Sequence, residues 1–96
     1  MPFTVIWSPD AEAELARLYL KSRQRTSSEF WKASAQIDRH LRHNPNQAGA
    51  PIEDYPGLLA MSAPISIRER LAVVYRIIPD DMQVFVVDTR VLTEDA

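Results

Sequence analysis

The chain has no cysteine, two glycines, and no apolar run approaching the thickness of a bilayer. Without thiols, neither a disulfide framework nor a cysteine-based zinc site can hold it, so stability must come from packed apolar side chains. Gly49 and Gly57 alone cannot build a glycine-rich phosphate loop. A membrane helix needs about 20 consecutive apolar residues, and the segment Met1 to Asp10 lacks a basic leader region. Secretion and membrane insertion are therefore not expected, and a cytoplasmic location is. A strong excess of one charge is missing too, with 11 Lys and Arg against 13 Asp and Glu, a net charge of −2. Residues 1–48 carry seven basic and five acidic side chains (+2), residues 49–96 four and eight (−4). Nucleic-acid grooves announce themselves as clustered Lys and Arg, so direct binding of free nucleic acid is not expected.

What is present is ordinary globular material, 46% hydrophobic and 25% charged over 96 residues. That is enough for one core and not for two, which predicts a single domain over residues 1–96. Phe3 to Trp7 reads as a strand of β-branched and aromatic residues. Ser8 is placed to cap a following helix, Pro9 suits its first position, and Asp10, Glu12 and Glu14 favour the positive helix end. The stripe Ala11, Leu15, Leu18 and Tyr19 predicts a helix over about 9–23. Thr26-Ser27-Ser28-Glu29 has the form of a capping box, and Phe30, Ala33, Ile37 and Leu41 repeat at helical spacing behind it. Arg39, His40, Arg42 and His43 gather at the negative end, and Asn44-Pro45 stops the second helix. An antiparallel helical hairpin follows.

Residues 44–57 hold Pro45, Gly49, Pro51, Pro56 and Gly57, the composition of a crossing loop. Leu58 to Met61 and Ile65 to Arg68 are short strand candidates separated by Pro64. Leu71 to Ile78 and Met82 to Val91 are the strongest strand signals, with a tight turn at Pro79-Asp80-Asp81 between them. The resulting class is α+β, in the order β-α-α-β-β-β, with a two-helix hairpin packed on an antiparallel sheet of three to four strands. Thr93 to Ala96 are expected to fray.

Particular residues give this order a likeness. Trp7-Ser8-Pro9-Asp10-Ala11 followed by Glu14-Leu15, then Leu41-x-x-Asn44-Pro45, then Val73-Val74-Tyr75-Arg76-Ile77 with Val84-Phe85-Val86-Val87, resemble segments of the RelE/ParE superfamily of bacterial toxins. The resemblance implies the growth-inhibiting component of a type II toxin–antitoxin pair, of the kind associated with plasmid stabilisation, held inactive by a cognate antitoxin. One branch of that superfamily cleaves messenger RNA on the ribosome; another inhibits DNA gyrase through protein contact.

Ribosome-dependent cleavage needs a base or an oriented 2′-hydroxyl, a cation near the phosphorus and a proton donor for the leaving oxygen. The nuclease branch supplies these with lysines and arginines on the sheet and often a late tyrosine. Here Ala72 stands where the resemblance implies an arginine, the paired lysines of the preceding strand are missing, and nothing after Arg90 is aromatic or histidine. The sequence therefore favours the ParE-like branch, with a divergent nuclease using Arg68, Arg76 and Arg90 as one alternative and a non-toxic binding protein retaining the fold as another. Arg70, Trp31 and Trp7 are the candidate partner-binding residues, because guanidinium forks take carboxylates and aromatics anchor interfaces. Against this stands the plainer expectation that Arg68 and Arg70 flank Glu69 in a solvated turn and that Arg76 pairs with Asp88. Tyr75 reads as core, and His40 with His43 as helix-end cations and not metal ligands, since no further ligand completes a set. No cofactor or metal is expected.

Overall fold

The protein, described here by a computed structural model for residues 2–22 and 27–93, begins with strand β1 (Thr4–Trp7), helix α1 (Pro9–Ser22) and helix α2 (Ser27–His43). Ser8 caps α1 as its position predicts, its hydroxyl accepting the Ala11 backbone N–H at 3.1 Å. The proposed cap at Thr26 lies outside the described residues. The predicted stripes are the buried ones. Ala11 and Leu18 of α1, and Phe30, Ala33, Ile37 and Leu41 of α2, are buried in the core, with Leu15 and Tyr19 packed against its margin.

Asn44-Pro45 ends α2 but does not open an irregular loop. Pro45 is buried and begins a single-turn helix, α3 (Pro45–Ala48), which suits a residue with preset φ and no N–H to lose. A two-residue strand β2 (Ala50–Pro51) follows, then β3 (Leu59–Pro64), β4 (Glu69–Ile78) and β5 (Gln83–Thr93). The sheet has five strands in the order β1-β5-β4-β3-β2, one or two more than the sequence suggested. β1 enters parallel to β5, and the other pairs are antiparallel. The parallel pair consists of the first and last described strands, with α1–α3 and β2–β4 between them in the chain.

Two local expectations are corrected. Pro64 does not split two strands; it is the last residue of β3, and Ile65–Arg68 form the turn into β4. There the Ile65 and Ser66 N–H groups both donate to the Glu69 carbonyl, so this backbone closes on itself. At the next turn, Pro79–Asp81 make one 3₁₀ turn and Met82 takes a left-handed conformation (φ 51°).

The β4–β5 ladder carries an irregularity that decides which side chains face the core. Val74 is opposite Asp88, but Tyr75 is opposite Val86, leaving Val87 as the extra residue of a bulge. Before the bulge Val84 and Val86 point inward; after it Thr89 is buried and Val91 packs on the core. Strict alternation from Val84 and Val86 would have turned Asp88 and Arg90 inward. The bulge instead sends both to the opposite face, and the Thr89 hydroxyl donates to the Ala72 carbonyl at 2.9 Å.

Candidate functional site

Both long helices cover one face of the sheet, and the other face is left open. Along its floor run Ala60 of β3, Ala72 and Val74 of β4 and Val87 of β5. The segment between β2 and β3 folds over one side as a wall. It is drawn together by the Ile52 N–H bonding to the Leu58 carbonyl at 3.1 Å, Tyr55 to Ile52 at 3.2 Å and Leu58 to Tyr55 at 3.2 Å. Asp54 (φ 72°) and Gly57 (φ 85°) take the left-handed conformations that so tight a reversal needs. Across from this wall stand Asp88, Arg90 and Leu92, enclosing a concavity of about 580 Å³.

The four sheet arginines do not form one cluster. Arg90 lies opposite Ala72 and bonds to the Asp88 carboxylate at 2.8 Å, which raises its already high pKa. Arg76 is opposite Phe85 and four residues from Ala72, so its Cα lies about 13 Å along the strand from the Arg90 level. It makes none of the ion pairs among the described residues, and the expected Arg76–Asp88 pair is not formed: Asp88 faces Val74 and is taken by Arg90. Arg70 turns to β3, its guanidinium donating to the Ser62 hydroxyl at 2.8 Å and the Ser62 carbonyl at 3.2 Å. Arg68 sits in the exposed β3–β4 turn, where a smaller hollow of about 260 Å³ lies between that turn and Leu92. The fully exposed Ile67 is at its tip.

Tyr75 belongs to the core. Its ring is fully buried and its hydroxyl donates to the Pro45 carbonyl at 2.7 Å. Burial pushes its pKa above the usual phenol value, partly offset by the Gly49 backbone amide. Trp7 and Trp31 lie on the helical side of the sheet, where both line a groove between α1 and α2. His40 and His43 are exposed on the last turn of α2, and among the described residues no three His, Asp or Glu side chains are gathered to hold a metal. No described helix is long and apolar enough to cross a membrane.

The residues missed by sequence reasoning are Ile52, Tyr55 and Leu58. Their three-residue spacing inside a proline-rich segment was the available signal, since apolar residues that regular in a loop have something to cover. Tyr55 is 61% exposed and brings the one phenol to the concavity. The site thus combines an apolar floor, one exposed aromatic wall and a charge-neutral Asp88–Arg90 pair.

No family model and no curated protein matches the chain. Solved structures do. The Escherichia coli toxin RelE, in a free-state structure of a double-arginine mutant, is 17% identical and superposes with a TM-score of 0.63 over 93% of this chain and 82% of that one. The toxin–antitoxin complex RelBE2 of Mycobacterium tuberculosis matches at 18% identity and TM-score 0.59 over 99% and 95%. The chromosomal ParDE toxin–antitoxin system of Pseudomonas aeruginosa matches at 14% and 0.64, over 97% of both chains. The chain has the RelE/ParE toxin fold. Both branches of that fold superpose on it about equally well.

Proposed function

We propose that this RelE/ParE-fold chain is the toxin of a toxin–antitoxin pair, that a cognate antitoxin neutralises it, and that it acts by contact with a protein target and not by cutting RNA. The observation that carries this reading is the Asp88–Arg90 pair beside the apolar floor. A phosphate-binding cleft gains from uncompensated cations, whereas Asp88 sets a negative charge where an RNA phosphate would have to approach Arg90. Among the described residues no lysine or histidine lines the concavity, and Tyr75, read from the sequence as core, is buried beneath the sheet. An apolar floor with one aromatic wall suits a polypeptide, for which buried apolar area and aromatic anchors supply the affinity. DNA gyrase is the target class that the ParE branch suggests.

Tyr55 and Arg90 sharing one concavity favours a second reading, a divergent nuclease in which the Tyr55 phenol serves as proton donor and Arg90 as cation. The two readings separate in a programmed translation reaction. Purified protein acting by contact leaves ribosome-bound messenger RNA intact while its induced expression arrests growth, and co-expression of the adjacent gene's product relieves the arrest. Cleavage that Tyr55→Phe and Arg90→Ala abolish would establish the nuclease instead.

A further inference from the structure

The chain has two tryptophans, 24 residues apart in sequence, and the fold brings both to one place. Trp7 ends β1 and Trp31 lies in the second turn of α2, yet both line the groove between α1 and α2, a hollow of about 490 Å³. Trp31 is half exposed there, although Tyr19 packs on it with ring centroids 4.9 Å apart and Phe30 meets it edge-on at 6.2 Å. The aromatic cluster therefore holds the indole in position while leaving part of it bare. An indole braced this way loses little conformational freedom when a partner covers it.

The other groups of the groove are acidic or neutral. Glu12 of α1 lines it from one side and Asp38 of α2 from the other. Glu12 takes part in none of the ion pairs among the described residues, and Asp38 gives one carboxylate oxygen to Arg42 at 2.7 Å. The nearly buried Ser34 adds a hydroxyl to the wall. Among the described residues no cationic side chain lines the hollow.

We propose that this groove takes an arginine side chain presented by an apolar segment of a partner protein, the guanidinium lying on indole and meeting the Glu12 and Asp38 carboxylates. Arginine fits better than lysine, because its planar, weakly hydrated head can stack on an aromatic face while its N–H fork binds carboxylates. Its methylene stem covers the apolar wall around Leu15. The groove is acidic where the sheet-face concavity is neutral, and the two share no lining residue, so the groove is a second and separate contact surface. The inference rests on the toxin reading only in identifying the segment as part of the neutralising partner.

The test follows the two indole N–H resonances of the full chain during titration with butylguanidinium chloride, the arginine head on a short stem, and with neutral butylurea. The expected result is a saturable shift of both indole signals with the cation and none with the urea. The response is weakened in Glu12→Gln and lost in Glu12→Gln/Asp38→Asn, both changes lying on solvated helix faces. An equal response to butylurea, a response that survives in the double variant, or no saturable shift overturns the proposal. Shifts that follow protein concentration without ligand also overturn it, since they assign the groove to a second copy of the chain. The titration requires no toxicity: a cation site in a protein that fails to arrest growth removes the toxin reading and leaves the groove, and the reverse result does the opposite.

Discussion

The Tyr75 hydroxyl donates to the Pro45 carbonyl at 2.7 Å, joining the middle of β4 to the first residue of α3 across the core. Thirty residues of chain, including the wall of the open concavity, are closed into a loop by that contact. Gly49 fits against it so closely that an added Cβ would stand 2.4 Å from the Ala60 carbonyl oxygen and 2.7 Å from the Tyr75 hydroxyl. Tyr75→Phe leaves a buried carbonyl unpaired and should cost about 1–3 kcal/mol. Gly49→Ala forces backbone apart and should cost at least about 1–3 kcal/mol. Urea unfolding midpoints with unchanged slope measure both.

The same hydroxyl predicts an alkaline limit to stability. Burial raises the Tyr75 pKa above its ordinary 10.0. Above pH 10 the unfolded chain loses this proton while the folded chain keeps it, so the unfolded state binds fewer protons and the unfolding free energy falls as pH rises. The contribution is whole below pH 10 and is lost through the folded-state value. Tyr75→Phe should remove that part of the alkaline slope, measured as unfolding free energy from pH 8 to 11 against the wild type.

The bulge residue Val87 sets the phase of β5. Deleting it makes Asp88 follow Val86 directly, so strict alternation keeps Asp88 and Arg90 on the open face and Thr89 in the core. The deletion should therefore retain cooperative thermal unfolding, as should Val87→Ala, which keeps the bulge. Loss of cooperative unfolding in the deletion alone would show that Val87 is not a simple insertion in the ladder.

Much of this architecture was legible in the chain, and the exceptions have physical causes. The Ser8 cap and the stripes through Ala11 and Leu18, and through Phe30, Ile37 and Leu41, are local signals, and they gave both helices to within a residue or two. The β4–β5 hairpin was equally plain from its run of Val and Ile. Its bulge was not, because Val84 to Val87 are apolar whichever face they take, and the Arg76–Asp88 pairing failed because Asp88 lies opposite Val74, two residues along β4 from Arg76. The parallel entry of β1 depends on a partner some 80 residues away. α3 was hidden because Pro45, a helix stop for α2, also serves as a helix start. Of the candidate site, the arginines were visible as residue types, but their dispersal along the face and the Tyr55 wall follow from register and loop closure.

The charge balance of the concavity yields a direct prediction about nucleic acid. Asp88→Asn frees Arg90 and removes the negative charge, so it should create RNA affinity that weakens steeply with salt, while the wild type shows little. Because Asp88 and Arg90 form an exposed pair, the substitution should change stability by less than about 1 kcal/mol. Filter binding at two salt concentrations reads the outcome, and strong RNA binding by the wild type would argue against a neutral face.

The account stands most directly on the fate of transcripts in arrested cells. Mapping messenger RNA 5′ ends before and after induction should show growth arrest with no new ends, as expected of a toxin whose open face contacts protein. New ends within translated codons, absent when Tyr55→Phe or Arg90→Ala is induced, would contradict it and make that face a nuclease centre.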